Sequence, residues 1–323
     1  AEADENEVKN EKGATRRPNI IVYSGDFHGR TVLTMTMTAK KAYAVGMGPF
    51  PDGVYRAQFP YLYRKPEGMT DKEYMDECVK SVYDVFENCS PAEYVAAIVM
   101  EPLQGEGGFI PAPIEFVKAV RKICDENGIL LIADEVQSGF GRTGKLFASE
   151  YWKENGCAPD IIATAKSIAG GVPLSAVIAS KEVMDAVPGG TIGGTYGGNA
   201  LACAAGLEVL KLMDEGGLVK RSQEIGKKVM AAFNEMKEKY EVVGDVRGLG
   251  AMIGVEFVKD KKTKEPNPEF VGKFIQECAK NGLLVENAGI YGNVIRFLAP
   301  LVITDAQLDA GLEIYENAIK ACM

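Results

Sequence analysis

The chain has 323 residues, of which 46% are hydrophobic and 25% charged, and this composition is typical of a globular protein with two domains. The formal net charge of −9 argues against nucleic acid and anionic membranes as partners, and no apolar run is long enough to span a membrane. The seven cysteines are scattered without a C-x-x-C pair and His28 is the only histidine, so we expect no metal site, reduced thiols and a cytoplasmic location.

The first part of the chain predicts an α/β fold. Its opening stretch, "AEADENEVKNEKG", is strongly polar and is compatible with a disordered tail or with a helix. From residue 19 to about 213, short apolar runs alternate with helical patterns, which is typical of a mostly parallel sheet. Buried strands are predicted over 94–100, 129–134 and 160–165, and "LSAVIAS" (174–180) follows them. A helix is predicted to begin near Pro113 and end at Gly128, and Ser180 can cap the next one.

The remainder predicts a smaller α+β domain. A helix rich in small residues begins near Asn199, and "DEGG" (214–217) ends its pattern. An amphipathic helix over 219–240 and the strands "GAMIGVEF", "LLVEN" and "NVIRFL" follow, and Thr304 with Gln307 forms a capping box for the last helix. We therefore predict a large domain over 1–213 and a small domain over 214–323.

The glycine-rich stretch "GFGRTGKL" (139–146) comes close to two nucleotide-binding patterns. As a Walker A motif it lacks the Ser or Thr that holds Mg²⁺, because Leu146 follows the lysine. As a dinucleotide fingerprint it starts too far from its strand, since five residues separate that strand's alanine from Gly139. A tight loop without a nucleotide is the favoured interpretation.

Reactive side chains follow three of the predicted strands. Glu101, Asp134 and Lys166 each stand at a strand's carboxyl end, where functional groups collect in parallel sheets. Asp134 could simply be a turn residue and Lys166 a solvated surface lysine. However, no other charge lies between residues 161 and 179, so we expect a desolvated Lys166 suited to Schiff-base chemistry. A lysine and an acid at neighbouring strand ends match the needs of pyridoxal phosphate.

Four long motifs carry a family resemblance. "EPLQGEGGF", "LLIADEVQSGFGRTGKLFA", "AKSIAGG" and "GGTYGGNALACAA" resemble, in order and spacing, the motifs of class III aminotransferases, which are fold-type I pyridoxal phosphate enzymes. The resemblance covers essentially the whole chain. It implies a large domain with a mostly parallel, seven-stranded-type sheet between helices, a smaller C-terminal α+β domain, and a homodimer with shared active sites. In this family "GFGRTGKL" is a loop beside the site.

The resemblance also implies the cofactor contacts. Lys166 would bind pyridoxal phosphate as a Schiff base and carry the catalytic proton, and Asp134 would pair with the pyridine nitrogen. The other implied contacts are Val136 and Phe27 on the two ring faces, Gln137 near the ring hydroxyl, and Thr195, which would reach the phosphate of the neighbouring subunit.

The substrate contacts follow from two arginines. Arg30 and Arg296 resemble the pair that holds the two carboxylates of 2-oxoglutarate, and Arg296 lies in an apolar strand, where it needs an anionic partner. Glu106 resembles the acid that neutralises this arginine while the donor is bound. Glu101 is expected to line the pocket, and His28 is expected to pack and donate hydrogen bonds rather than act as an acid or base. The segment over 46–61 is similar to the 4-aminobutyrate branch of the family, which makes 4-aminobutyrate the leading amino donor.

The chain departs from the family at its N-terminus. The family has a substantial segment before the position of Ala1, which would be the first residue of the helix after the phosphate loop. We therefore expect a fragment or processed form, with weakened cofactor binding. Three alternatives stay open: another donor such as ornithine, acetylornithine or 5-aminovalerate; an amino-acid racemase or epimerase on this scaffold; and a non-catalytic interaction subunit.

Overall fold

The structure, a computed structural model, describes all residues from 1 to 323 and has twelve strands and ten α-helices. The strands are β1 (Asn19–Tyr23), β2 (Val54–Ala57), β3 (Val95–Met100), β4 (Leu103–Gln104), β5 (Ile110–Pro111), β6 (Leu130–Asp134), β7 (Ile161–Thr164), β8 (Ala176–Ala179), β9 (Val243–Leu249), β10 (Met252–Phe257), β11 (Glu286–Ala288) and β12 (Val294–Phe297). The helices are α1 (Glu2–Thr15), α2 (Val32–Met37), α3 (Asp71–Asn88), α4 (Ile114–Asn127), α5 (Ser149–Glu154), α6 (Lys181–Asp185), α7 (Ala200–Asp214), α8 (Leu218–Lys239), α9 (Pro268–Lys280) and α10 (Asp305–Cys322).

The larger sheet confirms the predicted α/β architecture. It has six strands in the order β2-β1-β3-β6-β7-β8, one fewer than the seven-stranded type, and only β8 runs antiparallel to its neighbour. Every residue of β3 is buried, as expected for a central parallel strand covered on both faces. The carboxyl ends of β3, β6 and β7 are therefore adjacent at one edge of the sheet.

The structure has helix ends where the residues next to each terminus predict them. α4 ends at Gly128, whose φ of 62° is the left-handed conformation that favours glycine after a helix. The side chains of Ser180 and Asn199 accept hydrogen bonds from the first turns of α6 and α7. The Thr304–Gln307 capping box at the start of α10 is present as predicted.

A second, antiparallel sheet lies in the C-terminal part, in the order β11-β12-β10-β9. Helices α8, α9 and α10 pack around it, and its hydrophobic cluster is separate from that of the large sheet. The 213/214 boundary falls at the end of α7, and the division into two domains there stays a prediction. Of the stretch "LLVEN", only Glu286 and Asn287 belong to a strand.

The loop 139–146 packs against the small sheet. The backbone oxygen of Arg142 accepts a hydrogen bond from Ala251 N at 2.9 Å, and Arg142 Nη1 donates to Ala299 O. Gly250, in the turn between β9 and β10, lies so close to this loop that a Cβ on it would be 2.4 Å from the carbonyl carbon of Thr143. A Cβ at Gly144 would likewise lie 2.9 Å from Gln223 Cγ, so Gly144 and Gly250 serve close packing. No strand runs directly into the loop as a nucleotide-binding turn requires, because β6 ends at Asp134.

The polar opening stretch forms helix α1, so the disordered-tail alternative is wrong. α1 packs on the large sheet against β3, β7 and β8, with Ala3 and Val8 facing inward. Asp4, Glu7 and Glu11 are buried on the same face. Tertiary packing thus places acidic side chains where an amphipathic helix usually has apolar ones. None of the helices is both long and apolar enough to cross a membrane.

Candidate active site

The three strand-end residues meet in one cavity. Glu101 follows β3, Asp134 ends β6 and Lys166 follows β7, and all three line a cavity of about 350 Å³ at the carboxyl edge of the large sheet. The other lining residues are Ala1, Asp4, Phe27, His28, Gly29, Arg30, Val136, Gln137 and Ala165. Most of the predicted cofactor contacts therefore lie around a single cavity.

Asp134 forms the floor of this cavity with His28. His28 Nδ1 lies 2.7 Å from Asp134 Oδ2, and Val136 N donates to Asp134 Oδ1 at 2.9 Å. Burial opposes ionisation of Asp134, but the hydrogen bond and charge of His28 outweigh it and hold the pKa of this carboxyl below its usual range. Burial likewise disfavours the imidazolium, yet the hydrogen bond to Asp134 and the negative charges of Asp26 and Asp134 raise the pKa of His28 well above its ordinary value. The floor therefore carries an ionised carboxylate beside an imidazolium.

Lys166 stands at the rim and is exposed, which contradicts the expected desolvation. Its φ of 45° lies in the left-handed region, which turns the chain sharply after β7. The apolar neighbours in the sequence point elsewhere, since Ile161 is buried in β7 and Ile168 packs against Phe140. Apolar sequence context alone therefore did not determine the surroundings of this lysine.

Glu101 lines the cavity and holds two backbone segments beside it. Its Oε1 accepts a hydrogen bond from Phe27 N at 2.8 Å, and its Oε2 accepts one from Gly105 N at 2.9 Å. Burial, assisted by the charges of Asp26 and Asp134, raises the pKa of Glu101 well above its usual range. Glu101 lines the cavity, as expected, and it also holds the backbone of Phe27.

Gln137 presents an unpaired polar atom to the cavity. Its Oε1 is buried without a hydrogen-bond partner, and a buried amide oxygen normally has one. This oxygen could accept a hydrogen bond from a ligand, and the ionised floor carboxylate could pair with a protonated ring nitrogen.

Beside the cavity, Arg296 on β12 is paired with two carboxylates. Arg296 Nη1 donates to Glu106 Oε1 at 2.7 Å, and Nη2 donates to Glu286 Oε2 at 2.6 Å. The expected anionic partner of Arg296 is therefore present, and Glu286 is a second one that sequence reasoning missed. Glu106 is partly buried, which opposes its charge, but Arg296 and then Lys40 hold the pKa of Glu106 below its ordinary value.

Lys40 and Tyr43 are two further neighbours that the sequence did not indicate. Lys40 Nζ lies 3.5 Å from Glu106 Oε2, and the Tyr43 hydroxyl donates to the same oxygen at 3.3 Å. The Tyr43 ring also meets Phe27 edge-on at 5.3 Å, and the Arg30 guanidinium lies 4.4 Å from its centre. Only the fold brings these residues together, because no motif contains Lys40 or Tyr43.

Thr195 does not join this cavity within the chain. It lies on the exposed segment between α6 and α7, beside Tyr196, which is 87% exposed. Arg30 is also exposed, at the outer edge of the cavity.

Comparison with known proteins assigns the family. The sequence pattern described as "Aminotransferase class-III" matches residues 1–319. The chain belongs to the class III aminotransferases. It is 47% identical over 322 residues to a probable 4-aminobutyrate aminotransferase of Bacillus subtilis, spanning 99% of this chain and 73% of that protein. It is 46% identical over 318 residues to a 5-aminovalerate aminotransferase of Pseudomonas putida, spanning 98% and 72% of the two chains.

Solved structures agree in fold. An amine transaminase from an uncultivated Pseudomonas species, in its pyridoxal phosphate-bound form, has a TM-score of 0.90 and 31% identity, covering 99% of this chain and 75% of that one. An (S)-enantioselective omega-transaminase from Thermomicrobium roseum has a TM-score of 0.90 and 32% identity, covering 100% and 73%. The protein is an aminotransferase with pyridoxal phosphate as its cofactor, and the cavity residues described above fit that group.

Proposed function

We propose that this aminotransferase moves the amino group of an ω-amino acid, with 4-aminobutyrate as the leading donor, to 2-oxoglutarate. The observation that carries the proposal is the Glu106–Arg296 ion pair beside the cavity. A guanidinium that a protein carboxylate can neutralise or release suits a site that must accept two kinds of substrate in turn.

The charge balance explains the two substrates. An ω-amino donor has no carboxylate on its reacting carbon, so Arg296 would stay paired with Glu106 while that donor reacts. 2-Oxoglutarate and glutamate carry an α-carboxylate, which would displace Glu106 and bind Arg296 with two parallel hydrogen bonds. Arg30, exposed at the other edge of the cavity, would hold the distal carboxylate of either substrate. Two arginines would thus orient both substrates.

The chain's own residues would act as follows. When bound, pyridoxal phosphate supplies an electron sink for the bonds to the reacting carbon. Lys166 would hold the cofactor covalently, and its Nζ would afterwards move the proton on and off the substrate carbon. Asp134 would hold a proton on the pyridine nitrogen, with His28 keeping the carboxylate ionised. Val136 and Phe27 would contact the ring faces, and Ala1 and Gln137 would contact the cofactor's polar groups.

A donor one methylene longer than 4-aminobutyrate also fits the proposal. Relatives at similar identity are named for 4-aminobutyrate and for 5-aminovalerate, which differ by one methylene. One methylene in a pocket changes specificity by only about 10–200-fold. We therefore keep 5-aminovalerate as a second candidate donor.

We propose that the active form is a homodimer. α7 exposes several apolar side chains, with Leu201 72% and Leu207 61% accessible, and large exposed apolar patches mark association surfaces. Thr195 lies just before this helix and would reach the partner's cofactor phosphate. Light scattering of the purified protein tests the association, and a monomer at micromolar concentration would contradict it.

The proposed donor is tested by single-turnover half-reactions on the purified holoenzyme. 4-Aminobutyrate, 5-aminovalerate, ornithine, acetylornithine and glutamate are each mixed with the pyridoxal form, and 2-oxoglutarate with the aminated form. We expect the two ω-amino acids to react faster than the ornithines. Racemisation of an amino acid without formation of an oxo acid would favour the racemase alternative, and no cofactor absorbance at all would favour a non-catalytic subunit.

Glu106→Ala tests the ion pair. With 4-aminobutyrate, Arg296 would lose its inner partner, which costs about 1–3 kcal/mol, or about tenfold or more in rate. Glutamate brings its own carboxylate and should be spared. Glu286→Ala is the matched control, because it removes the exposed outer partner of Arg296 and leaves Glu106 in place. Equal losses with both donors in Glu106→Ala would rule out the proposed switch.

A further inference from the structure

A buried ion network connects the small sheet to the region of Glu106. At its centre is Glu256 on β10, which is fully buried. Its carboxylate accepts hydrogen bonds from Arg64 Nε at 2.7 Å, Arg247 Nη1 at 2.7 Å and Asn293 Nδ2 at 3.3 Å, and also from the Tyr61 hydroxyl. A buried carboxylate with this many donors is fully compensated, so the network forms a rigid anchor.

Arg247, on β9, extends this anchor to the loop that carries Glu106. Its Nε and Nη2 both donate to the backbone oxygen of Gly108, at 3.0 and 2.7 Å. Its Nη1 also bonds Asp245 at 3.0 Å, and its guanidinium lies over the Tyr61 ring at 4.8 Å. Each of the three guanidinium nitrogens therefore has a hydrogen-bond partner, and Nε and Nη2 both donate to one carbonyl two residues after Glu106.

The Glu106 loop is the turn between β4 and β5, closed by hydrogen bonds from Gly108 N and Phe109 N to Gly105 O at 3.1 and 3.3 Å, and it is rich in glycine. Glu106 stands between Gly105 and the pair Gly107–Gly108, and glycine has more backbone freedom than any other residue. Gly108 has a φ of +126°, in the region that other residues rarely adopt. On the backbone side, Gly289 N, in the turn before β12, donates to the backbone oxygen of Glu106 at 2.9 Å. β12 carries Arg296, so contacts from the small sheet hold both members of the ion pair.

We propose that Arg247 is a positioning residue that holds the Gly105–Gly108 loop so that Glu106 faces Arg296. This inference rests on the proposed switch between donors. Because Arg247 acts through Glu106, its loss should slow the half-reaction with an ω-amino donor and spare the half-reaction with glutamate.

Arg247→Lys is the informative variant. Lysine keeps a cation beside Glu256, so the buried carboxylate stays paired, but a single ammonium lacks the planar fork that grips Gly108 O. We expect about a tenfold slower single turnover with 4-aminobutyrate and less than about a twofold change with glutamate, since small displacements of catalytic groups have effects of this size. In a Glu106→Ala background the same substitution should add nothing further.

Arg221→Lys is the matched control. Arg221 also lies in the C-terminal part and also donates to a backbone carbonyl and a carboxylate, Ile303 O at 2.8 Å and Asp305 Oδ1 at 2.7 Å, but does not contact the Glu106 loop. This control should leave both half-reactions unchanged. Equal slowing of both half-reactions by Arg247→Lys, or a further loss on top of Glu106→Ala, would overturn the proposal.

A second measurement does not depend on the donor. Hydrogen–deuterium exchange of the peptide over 101–113, measured on the same proteins, should be faster in Arg247→Lys than in the wild type and in Arg221→Lys. If the wild type fails to react with any ω-amino acid, the proposed function is wrong, and this exchange still decides whether Arg247 holds the loop. Unchanged exchange would overturn the positioning role.

Discussion

The floor of the cavity and the inner face of α1 both bury carboxyl groups, with opposite electrostatic outcomes. At the floor, Asp134 is paired with His28 at 2.7 Å and has its pKa lowered. On the inner face of α1, defined by Asp4, Glu7 and Glu11, neither glutamate has any hydrogen-bond partner. Burial raises the pKa of both glutamates well above the ordinary value.

Asp4 lies between these two cases. Burial and the charge of Asp134 raise the pKa of Asp4 above its ordinary value, and the positive charge of His28 opposes the shift. Burial alone therefore does not decide whether a carboxyl is charged; a cation within hydrogen-bonding distance decides it. The surroundings of Asp134 favour its charged form, whereas burial on α1 favours the neutral form of Glu7 and Glu11.

The largest expected effect comes from removing the charge at the floor. Asp134→Asn keeps the shape of the side chain but cannot hold a proton on the cofactor's ring nitrogen, so we expect turnover to fall by at least about a hundredfold, as for other lost electrostatic groups. Steady-state rates on the holoenzyme, with circular dichroism to verify the fold, provide the measurement. Near-normal turnover would show that another group supplies this charge.

Removing the cation of the floor should cost stability. His28→Gln leaves Asp134 and Asp26 buried without the imidazolium, and breaking such a buried pair typically costs about 3–5 kcal/mol. Denaturant unfolding of the apoprotein measures the loss. In an Asp134→Asn background the same substitution should cost less, because one of the two charges is already gone. Full additivity of the two substitutions would argue against a specific pair.

The smallest expected effect is a change in folding stability with pH, caused by the buried glutamates of α1. Glu7 and Glu11 have raised folded-state pKa values, so between their ordinary value of 4.5 and the folded value the native protein binds more protons than the unfolded chain. Their contribution to stability is complete below pH 4.5 and is lost as the pH rises through the folded pKa. Asp134, with its lowered pKa, has the opposite sign, and its contribution is lost as the pH falls.

The double variant Glu7→Gln with Glu11→Gln isolates the pH-dependent contribution of these two glutamates to stability, because glutamine side chains do not titrate. We expect the free energy of unfolding of the wild type to fall, relative to the double variant, as the pH rises above the ordinary value of 4.5, by at most ~1.4 kcal/mol per pH unit for each group. Urea unfolding at a series of pH values gives both curves. Glu2→Gln, on the same helix but exposed, is the control. Parallel curves for the wild type and the double variant would mean that the two glutamates are solvated.

Much of the fold could be predicted because its signals are local. The strand β3, the end of α4 at Gly128 and the caps at Ser180 and Thr304 depend on apolar runs and on residues next to each helix terminus. The clustering of Glu101, Asp134 and Lys166 followed from one general property, that neighbouring parallel strands end at the same edge. The resemblance of the motifs to those of the family then identified the cofactor, which the positions of these three residues alone left open.

The sequence by itself determined the α/β architecture and the convergence of Glu101, Asp134 and Lys166, since alternating apolar runs and the residues at strand ends require no knowledge of distant contacts. Only the tertiary structure decided the surroundings of those residues. Lys166 is exposed despite its apolar neighbours, α1 docks with its acids inward, and Lys40, Tyr43 and Arg247 reach the Glu106 region from distant segments. The reason is physical: burial, charge pairing and hydrogen-bond partners depend on which segments meet in space, and neither periodicity nor a motif contains that information.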